Sequence, residues 1–564
     1  MYIYFVQMSS KNSQKIIRQY VGEIPILQNI ANRLGIKEIL SRYLPWYGNE
    51  KVSVADSLML LVYNITCGRQ PLYELEEWVT KMHPDMFGYT SFEKGIFNDD
   101  RFGRALDKLY HADRASLMTE IVINTVKTIN LKLVQLHNDS TTVKAFGKIP
   151  GKTNSNLELK RGNNKDHRPD LKQLVYCLTV SADGFVPIHY KTYSGNITDD
   201  TTHIETWNTL TNIIGKKNFL YVADCKVCTD KQLSYIVSHH GKALTIIPEV
   251  WSEVQQFKDE LRKKAKKKKI IRRCRLDAYG KKYDTFSCFE GTYKTQKRSY
   301  AIFWIHSSQK KAQDFYRRQN FLQQTEKALK ELSFKLNKRN LKTKDAIVQR
   351  VDNILNKYKV KPFYNITIQQ QEIRYKVQSG KGRPGPNTKY KIVIENNFSI
   401  SWHQNKRALS QEKNIDGIFP LLCIDNNFEA KSALAAYKYQ PRLEKRFTQF
   451  KSIHNVAPLL FKNIERVEAM MFLFFIALMI QAIIEREVRM NMKKNEIDKL
   501  PLYPEHRLSY HPTTAKIFDR FSDVSTYLLY DGKKLIQEFS DSLNQIQLTI
   551  LKLLNISENQ YWTK

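Results

Sequence analysis

An uninterrupted run of apolar side chains, Ala469 to Ile480, constrains this chain more than any other feature. Gln481 interrupts it, and Ala482-Ile483-Ile484 resumes it. A helix that is apolar all round must be enclosed, by lipid or by protein. A membrane span needs about 20 such residues, and Glu465, Glu468 and Glu485 flank the run closely. The run therefore predicts a buried core helix around which other elements wrap, and no membrane partner. The apolar start, Met1 to Met8, lacks the basic flank and long apolar stretch of a secretion signal. Seven Cys in 564 residues make no disulfide scaffold, and a reduced cytosol is the expected setting.

Charge narrows the class further. Lys plus Arg number 90 against 56 Asp plus Glu, for a net charge of +34. Apolar residues at 42% and aromatics at 12% are enough to build cores, which excludes a disordered or low-complexity chain. Folded domains carrying this much positive charge imply a polyanionic partner, nucleic acid first, with a ribosome-associated or merely soluble basic protein as the plainer alternative.

Periodicity divides the chain. Residues 20–125 read helical, with Gly35 between two short helices and Ser53 capping the next. The helix-Gly-helix from Leu27 to Leu44 is either a helix-turn-helix DNA reader or a plain helical hairpin. From Leu131 strands take over: Leu131 to Thr142, ending near Asp139; Leu174 to Val180; a turn at Ala182-Asp183-Gly184; and Phe185 to Tyr193. A helix around Trp207, a short strand Phe219 to Ala223 ending in Asp224, a helix, and a strand Ala243 to Ile247 follow. Three meander strands and then helix–strand crossovers predict a mixed α/β sheet of ribonuclease-H type.

The expected domains are a helical N-terminal region for DNA-end binding (1–128), a ribonuclease-H-like core in two parts (129–250 and 426–490), a β-rich basic insertion (251–425) and a helical C-terminal region (491–564). The insertion carries ten Lys or Arg among the fourteen residues from Arg262 to Arg275, and one charged helix, Gln309 to Tyr358. Helical spacing at Leu535, Ile536, Phe539, Leu543, Ile546 and Ile550 marks the tail.

Asp139 and Asp224 both end apolar strands, which can lie side by side and parallel. Two carboxylates at one sheet edge repel unless a cation separates them. All-oxygen sites of that kind suit Mg²⁺ or Mn²⁺, and a pair of such ions can steady both oxygens of an in-line displacement at phosphorus. The plainer reading is a strand-end turn. Composition does not select a third acid. Tyr437, Gln440, Glu444 and Lys451 are spaced three, four and seven apart, which puts them on one helical face, although Pro441 can start or kink a helix there.

Four stretches carry a family resemblance: HNDSTTV around Asp139, the segment from Asn164 to Asp199 that opens NKDHRPDLKQ, VADCKV around Asp224, and YKYQPRLEKRFTQFKS around Glu444. They resemble the DDE transposases of the insertion sequence four superfamily, in particular its insertion sequence sixteen-thirty-four branch. Tyr437, Glu444 and Lys451 fit the spacing of the third-acid signature, while Gln440 stands where Arg is usual, leaving Arg442 or Arg446 to supply that cation.

The resemblance implies a metal-binding triad of Asp139, Asp224 and Glu444 holding two Mg²⁺, with Mn²⁺ able to substitute. It implies cleavage of double-stranded DNA at terminal inverted repeats and joining of the 3′-hydroxyl to target DNA. It also implies a homodimer in the synaptic complex and a nucleoid-associated location in the cytoplasm of a bacterium or archaeon. The 220 residues between Asp224 and Glu444 leave room for an insertion. Lys451 is expected at a phosphate and Tyr437 at the terminal nucleotide. A ribonuclease-H-like nuclease or resolvase without strand transfer, and a non-catalytic DNA-binding protein, are the rival readings.

Other features carry expectations of their own. Lys266, Lys267, Lys268 and Lys269 are expected at phosphates. Lys381-Gly382-Arg383-Pro384 resembles a minor-groove hook, with Arg383 as the reader, or else a β-turn. Cys225 and Cys228 lack the second pair that a zinc knuckle needs. His167, Arg168 and Asp170 either approach the acids or anchor their loop.

Overall fold

The computed structural model describes residues 14–562 except 49, 69, 146–154, 163–167, 169, 199–200, 276–282, 339, 426–427, 457–462 and 506. Met1 to Met8 and His167 lie outside the described residues. The chain divides into two compact units, Met1–Thr245 with Ala435–Lys564, and Ile246–Leu434. The first joins what the sequence separates into N-terminal, core and C-terminal parts.

In that first unit the apolar run lies in one 31-residue helix, Ile464–Lys494. Its length and composition would suffice to cross a membrane, but 94% of its most apolar window is buried inside the protein. Every residue from Ala469 to Val488 is buried. The helices Ile24–Arg33, Val54–Thr66 and Asp99–His111 and the strand Pro187–Ser194 pack around it. Leu58, Leu61, Phe102 and Leu106 on two of these helices are fully buried. Ser53 caps its helix as predicted, its hydroxyl accepting from the Asp56 amide at 3.0 Å. Gly35 takes φ +61 between Ile24–Arg33 and Ile36–Tyr43. Lys37 and Arg42, on the outer face of the second of these helices, pair with Asp56 and Glu120.

The charged end of the long helix binds its surroundings. Glu485 receives Arg446 at 2.9 Å and Arg489 at 2.6 Å. Arg486 makes a two-pronged contact with Asp183 at 3.0 and 2.8 Å. Glu487 receives both terminal nitrogens of Arg33 at 2.7 and 3.0 Å. Asp183 belongs to the turn after the second core strand, where Gly184 takes φ +81. A Cβ there would stand 2.7 Å from the Arg486 side chain.

The sheet of this unit runs Pro187–Ser194, Lys172–Ser181, Gln135–Ala145, Leu220–Val222, Lys242–Ile246. The first three are antiparallel and the last two parallel, the mixed order that the meander and crossovers predict. The first core strand is shifted along the chain from its expected range, starting at Gln135 rather than Leu131. It continues to Ala145 because Lys172–Ser181 keeps pairing with it along its whole length, so Asp139 sits inside the strand.

The tail departs from its helical reading. Lys534–Ser540 is a strand, paired antiparallel with Ser525–Asp531, which pairs in turn with Gln14–Tyr20. Gly532-Lys533, with Gly532 at φ +60, forms a two-residue hairpin turn closed by the Asp531–Lys534 pair, and it outweighs the chance helical spacing of Leu535, Ile536 and Phe539. Among the described residues of the tail, helix is found at Thr514–Phe518, Gln545–Leu553 and Glu558–Trp562.

The second unit holds a sheet of Ile418–Cys423, Ala301–Ser307, Tyr283–Phe289 and Lys268–Arg275. The single charged helix predicted there is two, Ser308–Ser333 and Lys344–Lys357. Asn337 at φ +62 breaks it, and its amide bonds both backbone groups of Phe398 at 2.8 and 3.0 Å. Thr343 caps the second helix. The β-rich expectation is met there in part by one antiparallel ribbon, Tyr364–Gln378 with Tyr390–Gln404.

Glu485 is held below the usual carboxylate range. Burial alone would raise it, but the charges of Arg446 and Arg489 outweigh that. Its stabilising contribution is therefore complete above about pH 4.3 and lost as pH falls through the folded pKa. Glu485→Ala strands two guanidinium groups and is expected to destabilise the protein by about 3–5 kcal/mol. Chemical denaturation checks this, and a loss below about 1 kcal/mol would remove the cluster's structural importance.

Candidate functional site

Strand register brings the two aspartates together. His137 pairs with Val222 across the parallel ladder. Two residues further along each chain lie Asp139 and Asp224. Side chains two apart share one face of a sheet, and the Asp224 backbone is still extended at φ −68, ψ −176. Val222 ends its strand while Gln135–Ala145 continues, so both carboxylates stand where the sheet opens. Each is fixed locally. Asp139 accepts from the Ser140 amide at 2.7 Å. Asp224 accepts from the Lys226 amide at 2.9 Å, and its carbonyl receives the Thr245 hydroxyl at 2.6 Å.

Glu444 lies on the helix Gln440–Thr448 and is exposed. The four-residue face predicted from spacing is broken. Tyr437 ends the helix Ala430–Tyr437, and Gln440 opens the next, with Pro441 in its first turn. Proline lacks the amide that a continuous helix would need there. Lys451 lies on a π-helical turn, Gln449–Ile453, and is half-buried.

Two residues expected at DNA hold the helix in place instead. Gln440 donates to the Asn138 carbonyl at 3.0 Å and meets His137 Nδ1 at 2.9 Å. Its amide thus ties the helix to the Asp139 strand, on the face that His137 shares with Asp139. Arg446 is buried and donates to the Gly184 and Phe185 carbonyls at 3.2 and 3.1 Å and to Gln449 at 2.6 Å, besides pairing with Glu485. A guanidinium so engaged is not available to a phosphate. Arg442, like Lys445, is an exposed cation of this helix. It lies 4.9 Å from the Tyr439 ring and 5.2 Å from the Phe185 ring, which stack on each other at 5.7 Å.

Tyr437 reports on the acids. Burial, followed by electrostatic repulsion from the carboxylates of Asp224, Glu444 and Asp139 (with the Cys225 thiol adding to it only if ionised), pushes its hydroxyl up to about 12. All three acids therefore act on one phenol, which stays protonated at neutral pH. The three carboxylates make an all-oxygen donor set, the chemistry that hard divalent cations take. As the side chains are placed, no three His, Cys, Asp or Glu among the described residues close on one point at metal-ligand reach. The fit to a metal is one of donor type.

The remaining expectations fall elsewhere. Burial and the Asp224 charge raise the Cys225 thiol, and all seven cysteines are free. Arg168 and Asp170 pair with each other at 2.7 and 2.9 Å in an exposed loop. In the second unit, Lys266 pairs with Glu260 and lies over Phe257 and Tyr293 at 5.0 and 5.2 Å. Lys267, Lys268 and Lys269 are exposed at the sheet's edge strand. Arg383 is exposed at the tip of the ribbon.

His137 and Asn138 escaped the sequence reading. Asn138 is buried, accepting from the Thr179 hydroxyl at 2.8 Å and the Cys177 thiol at 3.2 Å. The only local signal is that His137 alternates onto the same face as Asp139.

Residues 16–123 match a family model described as a domain of unknown function, DUF4277. No curated protein matches the chain. A solved piggyBac transposase synaptic complex with hairpin DNA is similar over 53% of this chain at 12% identity, with a TM-score of 0.26. The chain spans 63% of the length of that transposase.

Burial, slightly opposed by Gln440, lowers the His137 pKa from 6.5 to about 4. The unfolded chain then binds more protons between those values, so stability falls as pH drops from 6.5 to about 4, by up to about 3 kcal/mol. Buried His189 acts in the same direction. Urea titrations of His137→Gln are expected to show a shallower dependence than wild type across this window. An unchanged slope would remove His137 as a neutral, buried link.

Proposed function

We propose that this chain is a DNA-cleaving and DNA-joining enzyme of the transposase class, with Asp139, Asp224 and Glu444 as its acid triad. One observation carries the reading: strand register sets Asp139 beside Asp224, and the charge of Glu444 meets theirs at Tyr437. The sheet order, three antiparallel strands followed by two parallel ones, is the support for a ribonuclease-H-like core. The charge of +34 supports a nucleic-acid substrate.

Each residue then has a task. The three carboxylates would hold Mg²⁺ or Mn²⁺. Bound there, the ions supply charge neutralisation at the scissile phosphate and a water acidified enough to attack. Tyr437, kept protonated, donates a hydrogen bond to a phosphate or sugar oxygen without adding charge. Arg442 offers a guanidinium fork to the DNA backbone, its plane steadied by Tyr439 and Phe185. Lys451 adds a point charge further along. Gln440 and Arg446 act through position: one holds the helix to the Asp139 strand, the other to the Gly184 turn. Lys267, Lys268 and Lys269 contact phosphates away from the acids. Two DNA ends imply two copies of the chain in the reacting complex.

The test is a labelled duplex bearing the inverted repeats that flank the gene, incubated with Mg²⁺ and a target plasmid. Wild type is expected to give nicked and joined products. Asp139→Ala, Asp224→Ala and Glu444→Ala are each expected to lose about a thousandfold in cleavage rate, as members of a catalytic unit do. Wild-type cleavage by any of them sinks the triad. Cleavage without joined product would make the protein a nuclease.

A further inference from the structure

The ribbon Tyr364–Gln378 with Tyr390–Gln404 has two unlike halves. At its base Tyr364, Ile366, Ile368, Phe398, Ile400 and Trp402 share one face and pack on the helices Ser308–Ser333 and Lys344–Lys357. From Glu372 paired with Asn396 onward the ribbon has left that core, and nearly every residue is exposed. This free half runs seven residues to Gln378, about 24 Å at 3.4 Å per residue. It carries Arg374, Lys376, Lys381, Arg383, Lys389 and Lys391 against Glu372 and Glu395. Its tip, 379–389, holds three of these cations and no acid. A Cβ added at Gly380, Gly382 or Gly385 would meet nothing within 4 Å, so the tip is open on all sides.

Ile373 and Tyr375 lie exposed on one face of the free half, and Tyr390, Ile392 and Ile394 on the other, with Ile392 at 66%. An isolated two-stranded ribbon is at best marginally stable in water, and exposed apolar residues on both faces mark a binding element. The charge decides what it binds. A second copy of this chain carries the same +34 and repels an arm of net +4. Duplex DNA attracts it. The end of the arm is Lys381-Gly382-Arg383-Pro384-Gly385-Pro386, with Gly382 at φ +136 and its carbonyl held by Gln378 at 3.1 Å. Arg beside Pro on a narrow tip joins the two groups that minor-groove proteins use: a cation for the narrow, negative groove and an apolar wedge between base steps.

We infer that the free half of this ribbon is an arm that embraces duplex DNA, with Arg383 and Pro384 entering the minor groove and Lys381 and Lys389 on the flanking phosphates. The inference rests on DNA being the substrate, and it adds a contact remote in sequence from the acids.

The test measures binding of full-length protein to fluorescent A·T-rich, G·C-rich and inosine·cytosine duplexes, without divalent metal, from 50 to 300 mM salt. An inosine·cytosine pair has the major groove of G·C but lacks the guanine amino group in the minor groove. Wild type is expected to bind the A·T and inosine duplexes alike and the G·C duplex more weakly. Combining Lys381→Ala, Arg383→Ala and Lys389→Ala is expected to raise Kd about tenfold or more, to lower the slope of log K against log salt by about 2–3, and to leave thermal unfolding unchanged. An unchanged Kd and slope overturns the proposal. So does a variant that alters self-association while binding DNA as before, which would make the arm a contact between copies. Inosine duplexes that bind like G·C overturn the minor-groove assignment. Because no cleavage is read, a wild-type protein that binds as expected yet never cuts would count against the proposed activity alone.

Discussion

One turn of one helix holds the acid site in place. Glu485, Arg486 and Glu487 follow the apolar run on Ile464–Lys494 and grip three different parts of the chain. Arg446 brings the Glu444 helix, Asp183 the turn after the second core strand, and Arg33 the first N-terminal helix. All three residues of that turn are buried, so each charge needs its partner: an unpaired ion in such a place costs several kcal/mol. The apolar stretch before them supplies the enclosure that makes these contacts strong. Hydrophobic burial sets the helix at the centre, and the charged turn then fixes which elements meet there.

The geometry of the acids follows from this. Asp139 and Asp224 need only a parallel register, which two short ladders provide. Glu444 comes from a helix far along the chain, and its place depends on two contacts of that helix. Gln440 fastens the start to the Asp139 strand, and Arg446 fastens the middle to the Gly184 turn. Tyr437, just before this helix, then sits where all three negative charges reach it. Residues spaced like a signature thus divide into some that face outward and some that hold the fold.

Charge is distributed to match. The proposed triad would place negative charge beside a neutral Tyr437 hydroxyl within a strongly basic chain. In the second unit the cations lie where the sheet and the ribbon end, on the edge strand Lys268–Arg275 and on the open tip around Arg383. On the proposed reading, part of the polyanion contact lies on elements remote in sequence from the acids, and net charge by itself does not reveal the acids.

Much of this was legible in the sequence. The run Ala469 to Ile480 demanded a buried helix, and alternating and continuous apolar segments gave the mixed sheet, because these depend on local periodicity and short-range order; Asp139 and Asp224 stood out as acids at strand ends, while Glu444 entered through a family resemblance. What only the tertiary structure decided are the pairings. Arg446 and Arg442 are both cations near Glu444 in sequence, yet one is buried against Glu485 and the other exposed over two rings. Gln440 read as a missing Arg until His137 and Asn138 were placed against it. Leu535 to Phe539 read as helix until Ser525–Asp531 offered a ladder. Side-chain partners come from residues hundreds of positions away, and burial decides whether a charge is spent inside the protein or offered to a ligand.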